Sequence, residues 1–165
     1  MGLMTCSEDR TIELGLAIGR ILRPGDVVLL VGELGAGKTR LAKGIVSGAT
    51  GVPRDDVVSP TFTLIHRFEG AFPVHHADLY RLDACQAEEI GLEDALEEDG
   101  ALVVEWAEKI ERVYSDPLTV RIRYGKEEES REFLLEWAVP GSWGERLLPA
   151  VTAFSEDIEQ SGGTP

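Results

Sequence analysis

Three glycines at fixed spacing ahead of a lysine and a threonine, in Gly32-Glu33-Leu34-Gly35-Ala36-Gly37-Lys38-Thr39, constrain this chain more than any other stretch. The octapeptide satisfies G-x-x-x-x-G-K-[ST] at every fixed position. Upstream, the turn pair Pro24-Gly25 opens Asp26 to Val31, a short apolar run that suits a strand buried on both faces. Downstream, Leu41, Ala42, Ile45 and Val46 recur at helical spacing. A strand, a glycine loop and a helix in that order form a phosphate-binding loop.

Each residue type has a chemical reason. Gly32, Gly35 and Gly37 can adopt backbone angles closed to other residues, so successive N–H groups turn toward one point. The helix start adds positive partial charge, Lys38 supplies a mobile cation for the terminal phosphates, and the Thr39 hydroxyl suits Mg²⁺. The ligand class is a nucleoside triphosphate.

A chain of 165 residues, 43% of them hydrophobic, is long enough for one domain with a substantial core and too short for two of ordinary size. Residues 1–154 are expected to form that domain, and the polar, glycine-bearing stretch 155–165 a disordered tail. No apolar run approaches the ~20 residues that cross a bilayer, and the first ten residues lack the features of a signal peptide, so a soluble cytoplasmic protein is expected. Cys6 and Cys85 show no paired spacing and read as reduced thiols. The formal charge of −14 and an isoelectric point near 4.6 argue against autonomous grip on a nucleic-acid backbone.

Along the chain, Ser7 is placed to cap a helix over Glu8 to Leu22. Residues 61–68 and 72–77 read as a hairpin turning at Gly70. Gln86 to Glu98 reads as an exposed amphipathic helix open to interruption at Gly91. Ala101 to Val104 is a central strand, and 118–124 with 131–138 a second hairpin. The expected fold is α/β: a phosphate-loop mixed sheet with flanking helices and a C-terminal antiparallel hairpin.

Hydrolysis needs a carboxylate near the metal, and in open α/β sheets such groups gather at the carboxyl ends of strands. Asp78 and Glu105 both end apolar strands. Glu105, after the more apolar one, is the candidate for the metal, either directly or through water, beside Thr39. Asp78 either orients the attacking water or supports the metal's ligands by a hydrogen bond. Ser59-Pro60-Thr61-Phe62 has the form of a switch whose Thr61 hydroxyl reaches the metal or γ-phosphate. Trp106 either stacks on nucleotide or partner, or belongs to the core. His66, His75 and His76 match no standard zinc spacing.

Four stretches in order, Gly32 to Thr39, Ser59-Pro60-Thr61-Phe62-Thr63-Leu64, His76-Ala77-Asp78-Leu79-Tyr80-Arg81-Leu82 and Glu105-Trp106, resemble the TsaE (YjeE) family of bacterial ATPases in tRNA threonylcarbamoyladenosine biosynthesis. The resemblance spans about residues 8 to 140. It implies ATP and Mg²⁺, with Thr39 and Glu105 near the metal, and Lys38, Thr61, Asp78 and Glu105 as the catalytic set. Glu8, Glu33, Leu34, Gly35, Ala36, Gly37, Lys38, Thr39, Trp106 and Arg131 would surround the nucleotide. Ala77 stands where the family usually has an aromatic residue and Ala107 where it has proline. The implied role is hydrolysis in complex with TsaB and TsaD, which act on adenosine 37 of ANN-decoding tRNAs. A small metabolite kinase and a non-hydrolysing nucleotide-binding module are the competing readings, since a phosphate loop alone does not separate them.

Overall fold

The protein is described here from a computed structural model covering residues 1–60, 64–97, 99–110, 114, 116–138 and 143–160. Seven strands form one mixed sheet: β1 (Gly2–Thr5), β2 (Val27–Gly32), β3 (Ile65–Phe68), β4 (Val74–Asp78), β5 (Ala101–Glu105), β6 (Leu118–Tyr124) and β7 (Arg131–Glu136). Their spatial order is β1-β7-β6-β2-β5-β4-β3. The central strands β6, β2, β5 and β4 run parallel, while β3–β4, β6–β7 and β1–β7 are antiparallel. The helices are α1 (Glu8–Gly19), α2 (Lys38–Thr50), α3 (Ala84–Glu89), α4 (Asp94–Glu97) and α5 (Gly144–Gln160). The mixed sheet, flanking helices and C-terminal hairpin are those expected from the sequence.

Alternation along β2 sorts the core into two layers. Val28 and Leu30 face Leu14 and Ile18 of α1, Leu41 and Ile45 of α2, and Trp143, Leu147 and Phe154 from the α5 region. Val27 and Leu29 face the smaller cluster of Leu79, Ala87, Leu92 and Ile110. On the larger side, α1 and α2 meet backbone to backbone. A Cβ at Gly15 would stand 2.4 Å from the Leu41 carbonyl oxygen, and one at Gly44 2.3 Å from that of Ile12. Only glycine permits so close a seam.

Local signals account for most boundaries. The Ser7 hydroxyl accepts from the Arg10 amide and starts α1, which ends at Gly19 rather than Leu22. In place of one helix over 86–98, the described residues form two short helices, α3 and α4, with Gly91 between them at φ 75°. Asp83 and Gln86 form a reciprocal capping box that begins α3 two residues before the expected start. Two elements go beyond those expected. The edge strand β1 is too short to show a periodicity, whereas Leu147, Val151 and Phe154 of α5 recur at helical spacing and are buried, a pattern that Pro149 in the second turn does not break. α5 extends to Gln160, into the segment expected to be a tail, and residues 161–165 lie outside those described. Arg146 anchors α5 by a two-point ion pair to Asp26, just before β2, at 2.7 and 3.0 Å.

Candidate nucleotide site

The loop between β2 and α2 carries its strain on glycines. Gly35 and Gly37 have φ of 77° and 109°, left-handed values that a side chain would oppose. Gly37 stands at the N-cap of α2, directing the helix's first amides and its positive end into the loop. Leu34 is exposed at the tip, and its carbonyl accepts from the Tyr124 hydroxyl at 2.7 Å, tying the loop to the β6–β7 hairpin. Glu33 and Ala36 complete the turn through an Ala36 N–H to Glu33 carbonyl bond.

Lys38 folds back along the loop. Its Nζ donates to the carbonyls of Gly32 at 2.6 Å and Glu33 at 2.8 Å, and lies 3.5 Å from the centroid of the Trp106 ring. Burial pushes its pKa down, opposed by the nearby charges of Glu108, Glu105 and Asp78. Trp106 has φ 59°, a left-handed conformation rare for an aromatic residue, and this turns the chain sharply at the end of β5. Its ring also meets Tyr80, with centroids 4.9 Å apart.

Beside the lysine, the Thr39 hydroxyl donates to Glu105 Oε2 at 2.7 Å, and Glu105 Oε1 lies 2.9 Å from His76 Nε2. Asp78 pairs with Glu105 in register across β4 and β5, so the two acids sit side by side. Burial raises the Asp78 pKa; the Tyr80 amide donating to Oδ1 at 3.0 Å opposes this, while the Glu105 charge adds to it. Lys109 ties the strand-end loops together by donating to the carbonyls of Leu79, Tyr80 and Leu82. A hydroxyl and a carboxylate oxygen are hard donors of the kind Mg²⁺ takes alongside water and phosphate oxygens.

On the other flank, Glu8, Thr11, Gly37, Arg40, Glu128, Glu129 and Arg131 line a cleft of about 310 Å³. Glu8 pairs with Arg40, and Arg131 lies over the Tyr124 ring, 4.7 Å from its centroid. Of the residues singled out by sequence, Lys38, Thr39, Asp78, Glu105 and Trp106 form one cluster. Glu8 and Arg131 stand together across the loop helix, and Thr61 lies outside the described residues. Sequence reasoning gave no site role to His76, Arg40, Tyr124 or Lys109. His76 alone carried a usable signal, lying two residues before Asp78 and so on the same strand face.

A strand-loop-helix with these glycine conformations, and two acids at adjacent strand ends, defines an α/β protein of the phosphate-loop class. A family profile described as threonylcarbamoyl adenosine biosynthesis protein TsaE matches residues 5–133, and the chain belongs to that family. It is similar to the tRNA threonylcarbamoyladenosine biosynthesis protein TsaE of Nostoc, 37% identical over 76% of this chain and 79% of that one. It resembles the protein of the same name from Streptomyces coelicolor at 44% identity, over 67% and 76%. The fold superposes on the crystal structure of Bacillus subtilis YdiB with a TM-score of 0.67 at 28% identity, covering 96% of this chain and 95% of that one.

Proposed function

We propose that the chain binds ATP with Mg²⁺ and hydrolyses it to ADP and phosphate, as an accessory subunit acting with TsaB and TsaD in the cytoplasm to form N6-threonylcarbamoyladenosine in tRNA. The observation that carries this reading is the Thr39 to Glu105 hydrogen bond beside Asp78. It joins the last residue of the phosphate loop to a strand-end acid, the two groups by which phosphate-loop NTPases hold Mg²⁺, with a second acid beside them to act on water.

In this reading the amides of the loop and the first turn of α2 hold the β-phosphate, and Lys38 leaves its carbonyl partners for the β- and γ-oxygens. Thr39, donating its hydrogen to Glu105, keeps its oxygen lone pairs for the metal. Mg²⁺ supplies charge neutralisation at the transferring phosphate. Asp78, half-buried and with a raised pKa, orients the attacking water. Glu8, Arg40 and Arg131 receive the nucleoside end in the cleft beside Gly37.

Phosphate release measured with and without TsaB and TsaD tests the assignment. Release that rises when both are added is expected. Phosphorylation of a small molecule without partners would favour a kinase, and ATP binding with no release under either condition a binding module.

A further inference from the structure

His76 enters none of the steps above. It lies in the middle of β4 on the sheet face covered by α2, between Val74 and Asp78 and paired in register with Val103. Val74 and Val103 are aliphatic and fully buried, and the imidazole beside them is itself at 0% exposure. Among the described residues its Nδ1 has no partner, and its Nε2 meets Glu105 Oε1 at 2.9 Å. A buried polar ring with one polar contact is costly unless that contact matters.

The contact falls where Glu105 is least constrained by its own stereochemistry. The terminal torsion of a glutamate is broad, so its rotamer does not set the plane of the carboxylate. Two hydrogen bonds from opposite ends do so, from His76 to Oε1 and from Thr39 to Oε2. A carboxylate only accepts, so Nε2 carries the hydrogen of the imidazole.

The geometry points to His76 as a positioning residue: its buried Nε2–H fixes the plane of the Glu105 carboxylate so that Oε2 stays on the Thr39 hydroxyl, where Mg²⁺ would be held. The inference rests on the metal site of the proposed function. Loss of such an outer partner lowers metal affinity about 10- to 100-fold. It leaves alone the loop amides and Lys38, which bind phosphate without it.

Two amides separate positioning from filling. In His76→Gln the amide nitrogen extends to about where Nε2 stands, and in His76→Asn it stops near the Nδ1 position. Both keep a polar side chain at the site. Nucleotide affinity is read by calorimetry with ADP, in EDTA and across a Mg²⁺ titration. His76→Asn should leave the affinity in EDTA within about twofold and raise the Mg²⁺ concentration needed for tight binding about tenfold or more, with His76→Gln near wild type. Equal Mg²⁺ dependence in all three proteins would overturn the inference.

The wild-type protein tests it independently of any variant's folding. With ¹⁵N-labelled histidine, the His76 ring should show the Nε2–H tautomer in the metal-free protein, and an Nδ1–H tautomer would equally overturn the inference. Wild-type protein that binds no nucleotide, or binds it indifferently to Mg²⁺, would instead remove the proposed function, which the variants do not touch.

Discussion

At the scale of single residues, the site is built from side chains whose present partners a phosphate or a metal can replace. Lys38 is held by two backbone carbonyls, a charge-assisted arrangement open to exchange for phosphate oxygens. Lys38→Ala should therefore weaken ATP binding about 10- to 100-fold, the worth of hydrogen bonds to a charged group, as measured by calorimetry. Asp78→Asn keeps the oxygen that accepts from Tyr80 and removes the charge. It should leave nucleotide affinity within about threefold and lower phosphate release at least about 100-fold in a single-turnover assay. The same variant carries a pH signature. Burial raises the folded-state pKa of Asp78, so the stability from this group is full below about pH 4 and is lost as pH rises through the folded-state value. Thermal melts should show Asp78→Asn at least as stable as wild type at pH 7, with the advantage shrinking toward pH 4. Legibility at this scale follows chemistry. Glycines, Lys38, Thr39 and strand-end acids announce themselves by type and spacing. Tyr124 and Arg40 do not: a hairpin brings the tyrosine to Leu34 from far along the chain, and the arginine follows Thr39 with no spacing that marks it for the cleft.

At the scale of elements, the strands are readable wherever burial leaves a mark on composition. β2 and β5 are continuous apolar runs because both of their faces are covered, and each ends where the sequence changes character, at Gly32 and Glu105. β1 leaves no such mark, since only Leu3 and Thr5 of its residues are buried. The division between α3 and α4 follows from Gly91, whose left-handed backbone ends one helix and admits the next. What no periodicity could reveal is how closely two helices approach. The seam between Gly15 and Gly44 is a property of the pair. Gly44→Ala should lower stability by about 1–3 kcal/mol through overpacking against the Ile12 carbonyl, a shift measurable by urea denaturation.

At the scale of the whole molecule, the chain that carries the proposed nucleotide site has a formal charge of −14. Long-range repulsion is screened as the Debye length falls from about 30 Å at 0.01 M salt to about 8 Å at 0.15 M. The association rate of ATP should therefore rise over that range, opposite to the behaviour of a basic nucleotide-binding protein, and stopped-flow measurement at several salt concentrations checks the sign. The glycine seam has a mechanical meaning as well. Helices in backbone contact have no side-chain layer between them to absorb a displacement, so a shift of α2, which starts at Gly37, would be passed to α1. At the surface, Arg10 of α1 lies over the Phe154 ring of α5 and donates to the Ala153 carbonyl. Leu14 and Ile18 of α1 also share a buried cluster with Leu147, Val151 and Phe154, so such a shift would reach α5 through packed side chains.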